Sequence, residues 1–455
     1  MKKFSKVIAM SLCIAMMLSV AACGAAPAPS SSSAPAASSA SASSEAAPAA
    51  SSEAPAPAAP VAPIDSITAP VSLVHWQHTS AARNAIVTEL AEGLMKKNKN
   101  ITITTEYMPM GDYNTKLLPA MAAGTGPDTM QIEAGQFERF VKNGNLQPID
   151  ERVIPVGEFE SAFIPETLSA LKRDGKYYGI PTDVQTIVLY WNKALFKDAG
   201  LDPEKAPNTW EELQEYAKKL TKYGADGKIV QSGLGMGGYS PVVESFMLQC
   251  GAKLVDDKGK FTVNTPEVLE AYTFASELVT KDKVYHPEFM SRWTAFRTGK
   301  GAMVFGHPAM LGNFIETAPD IDFGVALVPE HKGNRNVAVT SWAFGIDKKA
   351  DPLAASVWLD ALTNEEAQTQ WAVKTGEIPS RKALHDSAEI NKDPRVKIGI
   401  DSIKSASYGK FQVSAYGSVW KKCWERLVLN NEAPAAVLAD AEKQLNAERA
   451  KLMAD

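Results

Sequence analysis

Aromatic rings and short polar side chains recur together where the strand-like segments of this chain end. Trp76-Gln77-His78 closes the first such segment, and Glu133, Gln136 and Phe137 follow the third. Asp183 and Gln185 come directly after Gly179-Ile180-Pro181. Tyr239 sits in a glycine-rich stretch, His307 follows Met303-Val304-Phe305, Trp342 follows Val339-Thr340, and Tyr416 lies near the C-terminus. An aromatic face accepts apolar surface, while carboxylates, amides and imidazoles exchange hydrogen bonds with hydroxyls. That combination suits a sugar ring, whose C–H faces are apolar and whose rim is polar. In open α/β sheets ligands bind beyond the carboxyl ends of the strands, where these residues fall. Each residue also has a plainer reading: a lone tryptophan packs a core, and Glu133 or Asp183 caps a helix.

Signals of bond-making chemistry are thin. There is no Gly-x-Ser-x-Gly elbow. Gly233-x-Gly235-x-Gly237-Gly238 has no Lys-Ser/Thr after it and is not a P-loop. It reads either as backbone in close approach to something or as a flexible loop. His75 and His78 sit three apart on a strand, so they face opposite ways, and no acidic ligand is near them; this argues against a metal. Paired carboxylates for glycoside hydrolysis are defined by a separation in space, and the sequence singles out no pair. The expectation is a protein with no catalysis, no metal and no cofactor.

The elements that must position these residues alternate. Val71–Trp76 reads as a strand, Ala82–Lys97 as a helix with Ile86, Leu90 and Leu94 on one face, and Ile101–Thr104 as a second strand. Asp112–Ala123 reads as a helix bent at Pro119, and Asp128–Ile132 as a third strand. Strand, helix, strand, helix, strand points to an α/β lobe with a mostly parallel sheet. Thr209 with Glu212, and Thr363 with Glu366, have capping-box spacing. Thr265-Pro266 and Asp351-Pro352 also read as helix starts. Gly333-Asn334 marks a turn between two further strand candidates, Val325–Pro329 and Val337–Thr340.

The N-terminus carries an address. Lys2, Lys3 and Lys6 precede an apolar run, Val7 to Val20, then Ala21-Ala22-Cys23. This is the order of an export signal with a small-residue cleavage site, and the run is shorter than the ~20 residues a bilayer span needs. The segment resembles a bacterial lipoprotein signal, which implies that Cys23 is acylated and becomes the mature N-terminus. The expected location is the cell membrane, lipid-anchored and facing the extracellular or periplasmic side. Residues 25–60 use only Ala, Ser, Pro and Glu, which cannot form a core, so 23–63 reads as a disordered tether. The chain of 455 residues leaves enough beyond the tether for two lobes. A net charge of −5 with no basic block makes nucleic acid a poor partner. Beyond the signal, Cys250 and Cys423 have no CxxC or zinc spacing; they read as two buried free thiols, with a disulfide between them as the alternative that an oxidising compartment allows.

Six further landmarks carry a resemblance, after the opening Leu73-Val74-His75-Trp76. They are Tyr113-x-x-Lys116-Leu117-Leu118 with Ala122-Ala123-Gly124-Thr125-Gly126-Pro127-Asp128; Asp174-Gly175-Lys176-Tyr177-Tyr178-Gly179-Ile180-Pro181; Leu189-Tyr190-Trp191-Asn192-Lys193; Thr209-Trp210-Glu211-Glu212-Leu213; Phe296-x-x-Gly299-Lys300-x-Ala302-Met303; and Gly376-x-x-Pro379. In this order, over essentially the whole mature body, they resemble the family-1 extracellular solute-binding proteins of ABC importers, the group related to maltose-binding protein. The resemblance implies a two-lobed, type II periplasmic-binding-protein-like α/β fold with a ligand cleft between lobes. It places one lobe at 64–183 and 343–384 and the other at 184–342 and 385–455. It implies a monomer that captures a small molecule, most simply a carbohydrate, and presents it to ABC transporter permease subunits. By position, His78, Glu133, Gly135, Gln136, Gln185, Tyr239 and Pro308–Met310 fall where that family touches sugar. An acidic residue and an arginine of the maltose binder are replaced by Gly135 and Gln136. One pocket tryptophan gives way to Ala309-Met310, and another falls near Tyr416-Gly417, which argues against maltose itself.

Other functions remain open on sequence. A polyamine would want several carboxylates around aromatics, and Glu133 and Asp183 make a partial case. A glycerol phosphodiester would want cleft arginines, and few candidate positions are basic. A sensor docking on a receptor kinase would use the same cleft, and a tethered polysaccharide hydrolase would betray itself by cleavage products.

Overall fold

The computed structural model describes residues 62–237, 240–408 and 416–454. Cys23, the export signal and the tether up to residue 61 lie outside the described residues, as does Tyr239. Pro63, the last residue assigned to the tether, opens a single 3-10 turn, Pro63–Ser66.

The first lobe begins with β1 (Val71–His78), α1 (Ala81–Lys97), β2 (Ile101–Met108), α2 (Met110–Ala122) and β3 (Thr129–Glu133). β1 pairs in parallel with both β2 and β3. The chain then supplies β4 (Gly179–Gln185) and crosses at Thr186-Ile187 into β5 (Val188–Asn192), the first strand of a second sheet. That sheet gathers α3 (Trp210–Leu220), β6 (Ile229–Gly235), α4 (Ser240–Gln249), α5 (Pro266–Thr280), α6 (Arg292–Arg297), β7 (Gly301–Gly306), α7 (Met310–Thr317) and β8 (Phe323–Leu327) around it. Its strand order is β8-β5-β7-β6, with 222–223 on the far edge. The long strand β9 (Val337–Asp347) returns to the first sheet, between β4 and β3 and antiparallel to both. The first sheet therefore runs (378–379)-β4-β9-β3-β1-β2. β1, β2, β3 and β4 share one direction, whereas β9, which carries the chain back, and the short edge strand 378–379 run antiparallel to β4. After α8 (Pro352–Thr363) and α9 (Glu365–Thr375) the chain leaves again and ends in α10 (Tyr416–Val428) and α11 (Pro434–Ala454) on the second lobe.

Three hydrophobic clusters hold this arrangement. One, including Ile86, Val87, Phe137, Phe344 and Trp358, lies under the first sheet. Another, including Leu213, Phe246, Tyr272, Trp420 and Leu438, packs the second. A third, including Val184, Val188, Tyr190, Phe314 and Ile378, sits beneath the crossing strands. Burying such residues at ~25 cal/mol per Å² is the main force holding each sheet to its helices. On α1 the face drawn from sequence is the buried one, with Ile86, Val87, Ala91 and Leu94 inside and Leu90 half-buried.

Local signals held with two exceptions. Thr265 and Asp351 cap α5 and α8 through the amides of Val268 and Ala354. Thr209 caps α3, but the Glu212 carboxylate accepts from the Asn208 amide at 2.7 Å, one residue earlier than a capping box requires. Thr363 caps nothing: it is fully buried at the end of α8, its hydroxyl donating to the Leu359 carbonyl, and Asn364 caps α9. The turn near Gly333 is present, but the strands around it do not pair with each other; β8 joins β5 and β9 joins the first sheet. At Gly233 and Gly235, in β6, the glycine-rich stretch is in close approach, since a Cβ would meet the Ala217 carbonyl of α3 at 1.8 Å and the Arg292 Cβ at 2.8 Å; Gly238 lies outside the described residues. Cys250 and Cys423 are free thiols; Cys423 is buried, as expected, whereas Cys250 is half-buried.

Candidate functional site

A cavity of about 800 Å³ lies at the carboxyl ends of strands from both sheets, within the range of small-molecule sites. The first lobe lines it with His78 and the start of α1, with Glu133, Gly135 and Gln136 after β3, and with Trp342 from β9. The second lobe adds Glu244 of α4, Trp293 of α6, the His307–Met310 turn after β7, and Tyr416 of α10. Gln185 and Thr340, paired in register where the chain crosses between sheets, form the floor.

Of the residues proposed from sequence, His78, Glu133, Gln136, Gln185, His307, Trp342 and Tyr416 meet on this wall. Trp76, Gln77 and Asp183 do not. Trp76 is half-buried against the first-lobe core. Gln77 points with His75 to the other face of β1, where its Oε1 accepts from His75 Nε2 at 3.4 Å. His75 packs edge-on against Phe344 and Trp358 and is a core histidine, its pKa lowered to about 4 by burial. The two histidines thus face opposite ways, as strand alternation requires. Asp183 stands behind the wall and holds it. Its carboxylate accepts from Gln185 Nε2 at 2.7 Å, from the Trp342 backbone amide at 3.1 Å and from the Thr182 hydroxyl at 2.9 Å. Gln185 therefore has its amide nitrogen spoken for and its oxygen left for a ligand.

The polar groups of the cavity are set by burial. His78 is driven down to about 3, first by burial and then by Arg83, whose Nη1 lies 3.1 Å from His78 Nε2. A guanidinium only donates, so Nε2 carries the lone pair and the imidazole is neutral. Arg83 Nη2 lies 2.6 Å from the buried Glu377 carboxylate, and burial pushes Glu377 up to about 7 against the pull of Arg83. Burial lowers His307 to about 4, and its Nδ1 donates to the Thr186 carbonyl at 2.9 Å. Glu133 is raised by burial, with Gln136 hydrogen-bonded to it. Glu244 is raised to about 7 by burial while accepting from the Tyr416 hydroxyl. Trp342 lies against the His78 ring, centroids 5.0 Å apart. Trp293, with the Arg292 guanidinium 4.3 Å over its ring, presents a second aromatic plate from the other lobe. Such a set binds and orients; neutral imidazoles, protonatable carboxyls and amides offer hydrogen bonds, and the indoles offer flat apolar surface.

Residues 89–398 match the family of bacterial extracellular solute-binding proteins. The chain belongs to that family. The solute-binding protein is similar to the arabinooligosaccharide-binding protein of Halalkalibacterium halodurans, 25% identical over 347 residues, which cover 72% of this chain and 76% of the relative. It is also similar to the sn-glycerol-3-phosphate-binding periplasmic protein of Escherichia coli, 26% identical over 335 residues, 68% of this chain and 74% of that one. Its fold matches an ABC substrate-binding protein of Listeria monocytogenes in complex with cycloalternan, with a TM-score of 0.75 and 22% identity over 84% of this chain and 99% of that one. The family is extracellular, so the solute-binding protein works outside the cytoplasm. No helix among the described residues is long and apolar enough to cross a membrane.

Sequence reasoning missed Arg83, Glu244, Trp293, Arg297 and Thr340, all on the cavity wall. Arg83 was within reach of the strand-end rule, had that rule been extended one turn into the helix that follows β1. Glu244 and Trp293 lie on helices whose sequence distinguishes no cleft-facing side, so nothing local marked them.

Proposed function

We propose that this solute-binding protein captures a sugar or short oligosaccharide in the cavity by closure of its lobes and delivers it to an ABC transporter permease, with no chemical step. The observation that supports this most is the pair of indoles, Trp342 and Trp293, brought to one cavity by different lobes, together with amides and with two carboxyls, Glu133 and Glu244, that burial makes harder to ionise. A ring stacked between such plates contacts both lobes at once, so its binding energy favours the closed form, and a ligand shifts a conformational equilibrium only by differential contact of this kind. The moving bodies are 64–183 with 343–384, and 184–342 with 385–455. The protein acts as a monomer, held on the outer face of the membrane through an acylated Cys23 and the tether that follows it.

A second reading is a glycerol phosphodiester. Arg83 and Arg297 line the cavity, which is the basic character that the sequence candidates lacked, and one similar protein is named for a glycerol phosphate. Against it, Arg83 is already paired with Glu377, and Glu133, Glu244 and Glu316 line the same cavity.

A thermal-shift screen of the purified protein across mono- and oligosaccharides, polyamines and glycerol phosphodiesters decides between them. Ligand at ~100 times its dissociation constant adds about 2.7 kcal/mol of stability. A shift with sugars alone is expected. A shift only with phosphodiesters replaces the first reading by the second, and cleavage products on incubation with oligosaccharides refute the non-catalytic reading. Cys23→Ser is expected to abolish acylation, checked by detergent partitioning.

A further inference from the structure

Outside the cleft, three side chains from separate parts of the second lobe bring metal-ligating atoms together. Cys250 follows α4, Glu270 lies on α5, and His331 opens the turn that leads to β9. One donor atom from each lies within 4.8 Å of the other two. We propose that this trio is a binding site for a borderline-soft divalent cation, zinc before others.

The donor set fits that ion. A sulfur, an imidazole nitrogen and a carboxylate oxygen are the three ligand types zinc takes. Zinc bonds of ~2.0–2.3 Å hold tetrahedral donors ~3.3–3.8 Å apart. Side-chain rotations on the order of an ångström close the present spacing to that value. Three protein ligands leave a fourth position for water.

The backbone beneath the donors is locked. His331 and Asn334 exchange both backbone hydrogen bonds at 2.9 Å, across a tight turn in which Lys332 and Gly333 both have positive φ. The Asn334 side chain donates to the Leu248 and Gln249 carbonyls at 3.0 Å, which ties the turn to the end of α4, just before Cys250. Trp210 stacks with the His331 ring at 4.0 Å and with Phe274, one turn beyond Glu270 on α5, at 4.1 Å. Its Nε1 also donates to Gln249 Oε1. The donors thus stand on elements already fastened to one another, which is what a preorganised site requires.

The site also has a resident competitor. Glu270 Oε1 accepts from His331 Nε2 at 2.9 Å and from Lys332 Nζ at 2.7 Å, while the second ring nitrogen of His331 is buried without a partner. The carboxylate already holds one cation here, and Lys332 is an exposed, flexible one. A divalent ion takes the ammonium's place, and the Cys250 proton leaves to solvent as the thiolate forms its bond to the ion.

The test uses the whole protein, free of tags and stripped of metal. Zinc alone is titrated by calorimetry, cobalt alone is followed by absorption, and the melting temperature is taken with and without zinc. One equivalent of zinc, a thiolate-to-cobalt charge-transfer band and a raised melting temperature are expected. Cys250→Ser should remove the band and weaken zinc roughly tenfold or more, Glu270→Gln should weaken it too, and Lys332→Gln should strengthen it. Lys332→Gln alters an exposed side chain and Cys250→Ser a half-buried one at the edge of the second-lobe core, so the melting temperature of each metal-free variant is compared with the native one to confirm that it folds. Failure of both the native protein and Lys332→Gln to take up one equivalent of zinc overturns the proposal. So does a Cys250→Ser variant that binds zinc as the native protein does.

Discussion

Asp183→Asn changes one oxygen to an amide nitrogen without changing shape, and the structure says what that must break. Oδ2 accepts from Gln185 Nε2, and Oδ1 accepts from both the Thr182 hydroxyl and the Trp342 backbone amide. If the new amide group faces Gln185, two donors meet. If it faces Trp342, a backbone N–H is stranded, because only the Thr182 hydroxyl can turn and accept. Asp183 is 1% exposed, so no water repairs the loss. Leaving a buried donor unpaired costs about 1–3 kcal/mol, and the lost bond was charge-assisted. Urea unfolding with linear extrapolation should read that loss in stability. The other escape is rotation of the Gln185 amide, which would present nitrogen instead of oxygen to the cavity. A ligand hydroxyl donating to that oxygen would lose its acceptor, and calorimetric affinity should fall about ten- to a hundredfold. Stability, affinity or both must fall. A variant with native unfolding midpoint and native affinity would refute the view that Asp183 sets the cavity floor.

Three further outcomes are expected. Trp293→Ala should weaken the ligand found in the screen about three- to tenfold while lowering stability less than Trp342→Ala, since Trp293 is half-buried and Trp342 is buried; native affinity in Trp293→Ala would remove it from the site. Glu244 has a folded pKa of about 7 against an ordinary 4.5, so the folded state holds the proton that the unfolded chain has already lost. Its contribution is complete below about pH 4.5, falls away as pH rises to about 7 by up to about 3 kcal/mol, and is flat above. Glu244→Gln should flatten that part of the stability profile between about pH 5 and pH 8, and an unchanged slope refutes the assignment. Substituting alanine for Gly376 should destabilise the protein by urea unfolding, because its φ of +78° is a left-handed backbone and a Cβ would meet the Pro308 carbonyl at 2.8 Å; native stability would show that this contact is dispensable.

The alternation of Leu73, His75 and Gln77 against Val74, Trp76 and His78, the helix face of α1, and the caps at Thr209, Thr265 and Asp351 were all legible in the residues themselves. They depend on neighbours within one turn or one pleat, and local sterics and hydrogen bonding decide them. The same locality explains the error at Thr363: capping-box spacing was present, but the preceding helix kept Thr363 and left the cap to Asn364. Strand ends marked His78, Glu133, Gln185 and His307 for one cleft, because the carboxyl edge of a sheet gathers its strand ends whatever the sequence between them. What the sequence did not determine was depth behind that edge. Asp183 and Gln185 are two residues apart on one strand, yet one holds the wall and the other is the wall, because β9 returns antiparallel beside β4 with a register shift at Trp342. The Arg83–Glu377 ion pair, and the arrival of Trp293 and Trp342 on one cavity wall, join segments that lie far apart in the chain. The Cys250, Glu270 and His331 trio, within the second lobe, likewise shares no motif and meets because the turn before β9 is tied to the end of α4. Contacts between segments far apart in the chain are set by how helices and sheets pack, and that packing is the part of this protein that only its tertiary structure decided.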